Sequence, residues 1–240
     1  MKRYISAAVR KLSEEPMEVQ LEIVEDPKAT EEELNELADS IYYKIQKKVA
    51  EHPKTSADTL DKLSDNKECL VRCAVAMNEN TSAETLAKLA TDDETLVKYQ
   101  VVLNNNCNDD VYAVMINDED SLIRRRAALR VRNPELLDVL ADDEDSDIRY
   151  EVARNPKVTS EILHKLASDP ERFTRSKVAA SPFTNTEDLV MLAEDEYPCV
   201  RYEVAGNYNT PASVIAKLAK DSDRRVARKA GYRLEQYRLG

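Results

Sequence analysis

Apolar residues follow two alternating helical patterns along most of the chain. In one, two apolar residues lie four apart, as Ile148 and Val152 do, and therefore share one helix face. In the other, apolar residues lie three apart, as Leu163 and Leu166 do. The two patterns alternate and return after about 26 residues from Pro27 onward. The pairs of the first kind are Ile45/Val49, Val71/Val75, Val97/Val101, Ile123/Ala127, Ile148/Val152, Thr174/Val178, Val200/Val204 and Val226/Ala230.

This repetition predicts an all-α solenoid of eight units, each made of a first and a second short helix. Each unit would bury its apolar face only against its neighbours. Residues 1–26 lie outside the repeat and place apolar residues at helical spacing over Lys2–Leu12 and Pro16–Val24. We expect an N-terminal helical cap over 1–26, the repeat domain over 27–230, and the end of the last helix over 231–240.

Polar residues recur at the unit boundaries. A threonine followed three residues later by an acid predicts a capping box at Thr30, Thr55, Thr81 and Thr184. Prolines would stop the preceding helix, and asparagines would take a left-handed turn conformation. The prolines are Pro27, Pro53, Pro134, Pro156 and Pro182, and the asparagines are Asn78, Asn104, Asn133, Asn155 and Asn207.

An aspartate and a basic residue about six positions later form a second periodic feature. We expect each aspartate to cap its helix and each basic residue to bridge to acids of its own or the next repeat. The aspartates are Asp39, Asp65, Asp92, Asp118, Asp143, Asp169, Asp195 and Asp221, and the basic residues are Arg72, Lys98, Arg124, Arg149, Arg175 and Arg201.

The pattern of Asp, then Val-Arg, then Val-Ala-x-Asn-Pro and a Thr-led helix resembles the leucine-rich repeat variant family and, more broadly, HEAT-like helical repeats. The resemblance covers roughly 27–230 and implies a curved, right-handed stack of helix pairs, some of them 3₁₀. It also implies that the Asp/Arg ladder is structural. Residues 1–26 contain no cysteine, unlike the iron–sulfur members of the variant family, so an inherited cluster is not expected.

Composition narrows the functional classes. A net charge of -11 argues against binding a nucleic-acid backbone with the whole surface. With only Gly206, Gly231 and Gly240 present, a glycine-rich phosphate loop is not expected. Met1–Leu12 is too polar for a signal peptide, and no run approaches a membrane span. We therefore expect a cytoplasmic protein.

Neither histidine nor cysteine predicts catalytic or metal chemistry. His52 and His164 have no nucleophile or acid at a repeat-related position. Cys69 and Cys73 lie four apart without further ligands nearby, so free thiols are expected there and at Cys107 and Cys199. The sequence predicts no enzyme activity, no metal and no cofactor.

The position after each ladder arginine predicts a partner-binding stripe on the second helices, which line the concave face in HEAT-like stacks. Tyrosine and arginine are enriched in binding hot spots, although the tyrosine rings could instead pack over neighbouring repeats. Two segments are irregular: Asn104–Asp110 lacks the threonine and proline of its siblings, and Ile123–Arg132 carries a basic cluster near the middle of this stripe. The predicted partner-binding residues are Tyr99, Arg125, Tyr150, Tyr202 and Arg228, with Arg124, Arg126 and Arg130 from the cluster.

These features favour a monomeric, non-enzymatic scaffold that binds a protein through its concave surface. Two alternatives remain. One is a nucleic-acid-binding HEAT-like protein similar to the alkylpurine DNA glycosylases, which use aromatic residues including tryptophan, whereas this chain has Trp 0. The other is an acidic mimic of DNA, which the acid-rich N-terminal half permits.

Overall fold

The computed structural model describes residues 11–239 and the side chains as far as residue 236, and every regular element in that part is helical. Most of Lys2–Leu12, one of the two predicted cap helices, lies outside the described residues. Pro16–Val24, the other, is a helix that begins at Met17. The elements are a 3₁₀ helix at Leu12–Glu14, then α1 Met17–Val24, α2 Glu31–Leu37, α3 Tyr43–Glu51, α4 Ala57–Ser64, α5 Cys69–Met77, α6 Ala83–Leu89, α7 Thr95–Leu103, α8 Asp109–Met115, α9 Ser121–Arg130, α10 Pro134–Leu140, α11 Ser146–Arg154, α12 Ser160–Leu166, α13 Arg172–Ala180, α14 Thr186–Leu192, α15 Pro198–Gly206, α16 Ala212–Leu218 and α17 Arg224–Leu239.

The chain divides into two compact units, Met1–Met115 and Ile116–Gly240. In the first unit the second helices α3, α5 and α7 pack side by side, and α1 packs on α3. In the second unit α9, α11, α13, α15 and α17 form the equivalent layer. The even-numbered helices other than α8 are first helices that pack against the second helices of their own unit. The predicted class, an all-α solenoid of about eight two-helix repeats, is confirmed. Every described helix within residues 27–230 is an α-helix, so the 3₁₀ helices implied by the resemblance are not found there.

The core of each unit consists of the apolar pairs that define the repeat. Ile148 and Val152 of α11 have no exposed surface, nor has Leu163 of α12. A seven-residue first helix and a nine-residue second helix are each too short to be stable alone in water. Burial between repeats therefore stabilises them, as the apolar periodicity predicts.

Asparagine has a different role in the turns from the one predicted. Asn78 has φ -71° and ψ 134°, and no non-glycine residue of the described chain has a positive φ. Its side-chain amide instead donates to the carbonyls of Ala50 (2.7 Å) and His52 (3.1 Å) in the preceding repeat. The left-handed prediction is wrong, because the residue is needed for its amide, which satisfies carbonyls at the end of a neighbouring helix. Asn104, Asn155 and Asn207 make the same pair of bonds.

The capping-box prediction is confirmed at only one of the four predicted threonines. Thr30 and Glu33 form the predicted capping box. At Thr81 the hydroxyl donates to the carbonyl of Val75 at the end of the preceding second helix (2.5 Å), and the next residue, Ser82, caps α6. Thr55 and Thr184 behave like Thr81, with Ser56 and Asn185 as the caps.

Cys107 takes the place of the threonine in the turn after α7, where its Sγ lies 3.0 Å from the carbonyl of Val101. Together with Asn104, it preserves the regular turn in the segment that lacks the usual threonine and proline. The turn that differs from the others is the one between α9 and α10. There Asn133 caps α10 and Pro134 is its first helical residue. Asn133 therefore does not occupy the turn, and Pro134 does not stop the preceding helix, as was expected from the equivalent residues of other repeats.

Candidate protein-binding surface

The ladder arginines join consecutive repeats. Arg149 donates from Nε to Oδ2 of Asp169 (2.6 Å) and from Nη2 to Oδ1 (3.1 Å), one repeat along the chain. Its Nη1 donates to the carbonyl of Asp143 in its own repeat (2.8 Å). Such a bidentate arrangement is a strong, charge-assisted form of ion pair. Equivalent pairs are Arg72–Asp92, Arg124–Asp143, Arg175–Asp195 and Arg201–Asp221.

The ladder aspartates support the helix N-termini indirectly. Asp169 Oδ1 accepts a hydrogen bond from the backbone N–H of Glu171 (2.8 Å), and Glu171 is the N-cap of α13. Asp169 therefore precedes the cap instead of being the cap, so the prediction that each aspartate caps its helix is wrong. Asp39 and Asp65, two predicted members, lie outside this ladder and pair with Lys62 and Lys88. In their repeats Ser40 and Asn66 accept the equivalent backbone hydrogen bond. The hydrogen bond from Arg201 lowers the pKa of Asp221, and the bond to Asp221 raises the pKa of Arg201. These contacts bind repeats to one another, as the sequence predicts, and their buried carboxylates are fully engaged.

Lysines of the first helices form a second, more exposed ladder. Lys62 pairs with Asp39 (2.7 Å) and Lys88 with Asp65 (2.6 Å). Lys165 pairs with Asp142 (2.5 Å) and Lys217 with Glu194. These cations therefore face acids of the preceding repeat.

Arg125 lies on the outer surface of the second-helix layer, where it contacts two acids of α11. Its guanidinium donates to Asp147 (3.1 Å) and to Glu151 (3.1 Å). Glu151 is 4% exposed and also accepts from Arg154 (2.8 Å). This buried carboxylate is therefore held between two arginines, and loss of either one leaves it with a partner.

Two tyrosines of the predicted partner-binding stripe, Tyr150 and Tyr202, pack against neighbouring side chains and also remain partly exposed. Tyr150 is half-buried, with Arg154 and Lys177 each 5.6 Å from its ring centroid. Tyr202 is 38% exposed, and Lys229 Nζ lies 3.7 Å from its ring centroid. Each ring thus packs beneath a cation and still presents surface. Tyr99 is half-buried on α7 of the first unit, and Arg228 is exposed on α17.

The arginine cluster of α9 has members in different environments. Arg124 is 9% exposed and is bound to Asp143 through the ladder. Its guanidinium is therefore engaged inside the fold, so we leave it out of the proposed surface. Arg126 is exposed and Arg130 half-buried on the same helix.

A pocket of about 230 Å³ opens between these helices and is lined by Arg125, Ser146, Asp147, Tyr150, Glu171, Phe173 and Thr174. Thr174 occupies a core position where the other repeats carry isoleucine or valine. It is fully buried, and its hydroxyl has no hydrogen-bond partner among residues 11–236. A buried hydroxyl without a partner costs about 1–3 kcal/mol, so local stability is reduced at this pocket.

Exposed apolar residues of the second helices were not among the predicted binding residues. Leu122 is 60% exposed on α9 and Phe173 is 57% exposed on α13. Leu70 and Leu96 occupy the same repeat position in the first unit and are also exposed. This position immediately precedes the buried residue of each second helix. Leucine or phenylalanine stands there in four of the eight repeats and a charged residue in three, so the exposed apolar residues are visible in a repeat alignment but not as a regular feature.

Both histidines form hydrogen-bond contacts that tie their repeat to a neighbouring segment. His52 is buried at the position of the turn asparagine, where its Nδ1 accepts from the Lys54 N–H (3.2 Å) and its Nε2 lies 3.4 Å from the Asp26 carbonyl. His164 Nδ1 lies 2.7 Å from Oδ1 of the buried Asp188, and this hydrogen bond raises the pKa of His164. Asp188 Oδ2 has no hydrogen-bond partner among the described residues.

The four cysteines are free thiols, and burial raises the pKa of Cys73 to about 11. Among residues 11–236, no group of three or more His, Cys, Asp or Glu side chains is placed to hold a metal ion. None of the described helices is both long enough and apolar enough to cross a membrane.

No family model and no curated protein matches the chain. Among solved structures it is similar to a leucine-rich repeat variant with a novel repetitive structural motif, with a TM-score of 0.66 and 22% identity over 84% of this chain and 80% of that chain. An engineered protein matches with a TM-score of 0.41 and 17% identity, over 93% and 82% of the two chains. A designed armadillo repeat protein matches with a TM-score of 0.27 and 15% identity, over 90% and 97%. The first likeness shows the fold, so the resemblance to helical repeat proteins expected from the sequence is confirmed at that level.

Proposed function

We propose that this protein is a non-enzymatic scaffold whose second-helix surface binds a protein partner. The observation that carries the proposal is the row formed by Arg125, Tyr150 and Tyr202 on α9, α11 and α15 of the second unit. These residues occupy equivalent repeat positions and combine ring surface with guanidinium groups, as binding hot spots do. Arg228 extends the same row on α17.

The pocket beside Tyr150 supports this assignment. A concave site bounded by aromatic rings is where a partner can bury an anchoring side chain. Phe173, which lines it, is 57% exposed although phenylalanine is strongly apolar. Burial of such a ring against a partner would stabilise the complex by removing apolar surface from water.

Joint replacement of Tyr150 and Arg125 by alanine tests the proposal. A partner recovered from the native host would be titrated calorimetrically against wild type and double variant. We expect binding to weaken by at least ~2 kcal/mol, the hot-spot threshold, with helicity unchanged. Retained folding is expected because Glu151 keeps its bond to Arg154.

A matched control removes a cation from the opposite helix layer. Lys165→Ala deletes an exposed ion pair of α12 and should leave partner affinity unchanged. Equal affinity of wild type and the double variant would refute the proposed surface.

A further inference from the structure

Several cations of the last three second helices form no ion pair with the acids of residues 11–236, unlike the ladder arginines Arg175 and Arg201 of the same helices. Arg224 and Arg228 are exposed, four residues apart on α17, and form no ion pair within residues 11–236. The Arg172 guanidinium lies over the rings of Phe173 (4.8 Å) and Tyr197 (5.0 Å) and forms no ion pair within that range. The lysines of α12 and α16, by contrast, both pair with acids.

Acids are scarce on the same three helices. α13 contains none, Glu203 on α15 lies 3.4 Å from Lys229, and Glu235 lies toward the end of α17. The chain as a whole has a net charge of -11. A face rich in exposed arginines on an otherwise acidic protein creates a local positive potential that attracts anionic groups.

The positions of these cations suit an extended chain. Arg172 and Arg224 occupy the same repeat position on α13 and α17, with α15 between them. Adjacent packed helices lie about 10 Å apart, so the two rows are about 20 Å apart. An extended peptide rises about 3.3 Å per residue and would cover that distance with about six residues, alternate side chains facing the protein.

The ring surfaces between the cations favour a peptide over a nucleic acid. Tyr202 already stacks against Lys229, and Phe173 against Arg172, so each exposed ring lies beside a cation. If the peptide side chains that face the protein were apolar and acidic in turn, they would match these neighbouring rings and cations. A long phosphate backbone would also meet repulsion from the acidic remainder of the molecule.

We propose that the outer face of α13, α15 and α17, contributed by Arg172, Phe173, Tyr202, Arg224 and Arg228, binds an extended acidic segment of a protein partner. Every second side chain of that segment faces this surface, and the facing side chains are carboxylates and apolar groups in turn. This inference rests on the proposed scaffold function and specifies the partner's chemistry. Arginine guanidinium groups bind carboxylates in bidentate geometry, which supplies specificity along the segment.

The test uses the full chain and a fluorescein-labelled peptide of about 12 residues that repeats the sequence Glu-Ser-Leu-Ser. In an extended conformation its glutamates and leucines alternate along one face, and the peptide is long enough to cross the surface. Fluorescence anisotropy would be recorded at low and moderate salt. A peptide with glutamine in place of glutamate is the probe control, and a single-stranded oligonucleotide of equal charge tests the other polyanion class. Arg224→Glu with Arg228→Glu is the test variant. Lys165→Glu with Lys217→Glu changes net charge equally on the first helices of the same unit.

We expect the acidic peptide to bind in a salt-dependent manner and more tightly than the glutamine peptide and the oligonucleotide. The test variant should weaken binding at least 10-fold, and the control variant less than about threefold. Absence of binding at low salt, equal weakening by both variants, or tighter oligonucleotide binding would each overturn the proposal. If the probe fails while a partner sensitive to Tyr150 and Arg125 substitution is found, only this inference falls and the scaffold function stands.

Discussion

Arg149 and Asp169 lie 20 residues apart and form a bidentate pair that joins α11 to the turn preceding α13. Only 12% of the Arg149 side chain and 2% of the Asp169 side chain are exposed. Replacement of Arg149 by alanine should therefore lower the free energy of unfolding by about 2 to 3 kcal/mol, because a buried carboxylate loses its partner. Urea denaturation would measure this loss.

Lys165→Ala is the control for that measurement, since it removes an exposed ion pair and should cost under about 1 kcal/mol. A stable Arg149→Ala protein that has lost partner binding would show that the ladder is a binding site and not a structural device.

The ladder also predicts how stability depends on pH. The hydrogen bond from Arg201 lowers the pKa of Asp221 in the folded protein. A lowered folded pKa contributes stability above the unfolded value of about 3.9, and that contribution is lost as pH falls through the folded value. Melting temperatures should therefore fall as the pH drops below about 4. Asp221→Asn should show a smaller fall, and an equal one would exclude this pair as a cause.

His52 is predicted to be replaceable by asparagine. Asn78 donates to the carbonyls of Ala50 and His52 and accepts from the Asn80 N–H, which are the contacts that His52 approximates with Asp26 and Lys54. His52→Asn should change the free energy of unfolding by less than about 0.5 kcal/mol, whereas His52→Ala should cost about 2 kcal/mol, because buried polar groups lose their partners. Thermal denaturation of the two variants side by side decides the matter. Similar losses of stability in His52→Asn and His52→Ala would contradict the proposed equivalence of histidine and asparagine at this position.

Thr174→Val should stabilise the protein. The substitution keeps the side-chain shape and removes the buried hydroxyl, whose hydrogen bond is not formed among the described residues. We expect a gain of about 1 kcal/mol in chemical denaturation. Val200→Thr, the reverse change at the equivalent position of α15, should destabilise. A loss of stability on Thr174→Val would mean that the hydroxyl is satisfied in solution.

Cys73 should resist alkylation. Burial raises its pKa to about 11, so a very small fraction is thiolate at pH 8. Mass spectrometry of iodoacetamide-treated native protein should find Cys73 modified at least 10-fold more slowly than the half-buried Cys69 on the same helix. Urea-unfolded protein provides the control, in which the two rates should converge. Rapid modification of native Cys73 would indicate that α5 opens locally.

The apolar periodicity alone determined the helix pairs, because a face of Ile148 and Val152 four residues apart can be buried only in a helix that packs against another. The recurrence of aspartate and a basic residue at fixed repeat positions predicted the Asp/Arg ladder. The capping box was predicted correctly only at Thr30. At Thr55, Thr81 and Thr184 the acid is equally close in sequence, but the threonine hydroxyl bonds to the end of the preceding helix.

Contacts between repeats were decided by the tertiary structure. Asn78 bonds across 26 to 28 residues, and its role follows from how closely one turn stacks on the previous one. The same stacking lets His52 and Cys107 occupy asparagine and threonine positions, and lets Arg233 donate to the carbonyl of Asn207. Residue type alone does not disclose such replacements, because different side chains can satisfy the same carbonyl once the backbone positions it. Arg124 was excluded from the surface for the same reason: only the packed repeats bring Asp143 to its guanidinium.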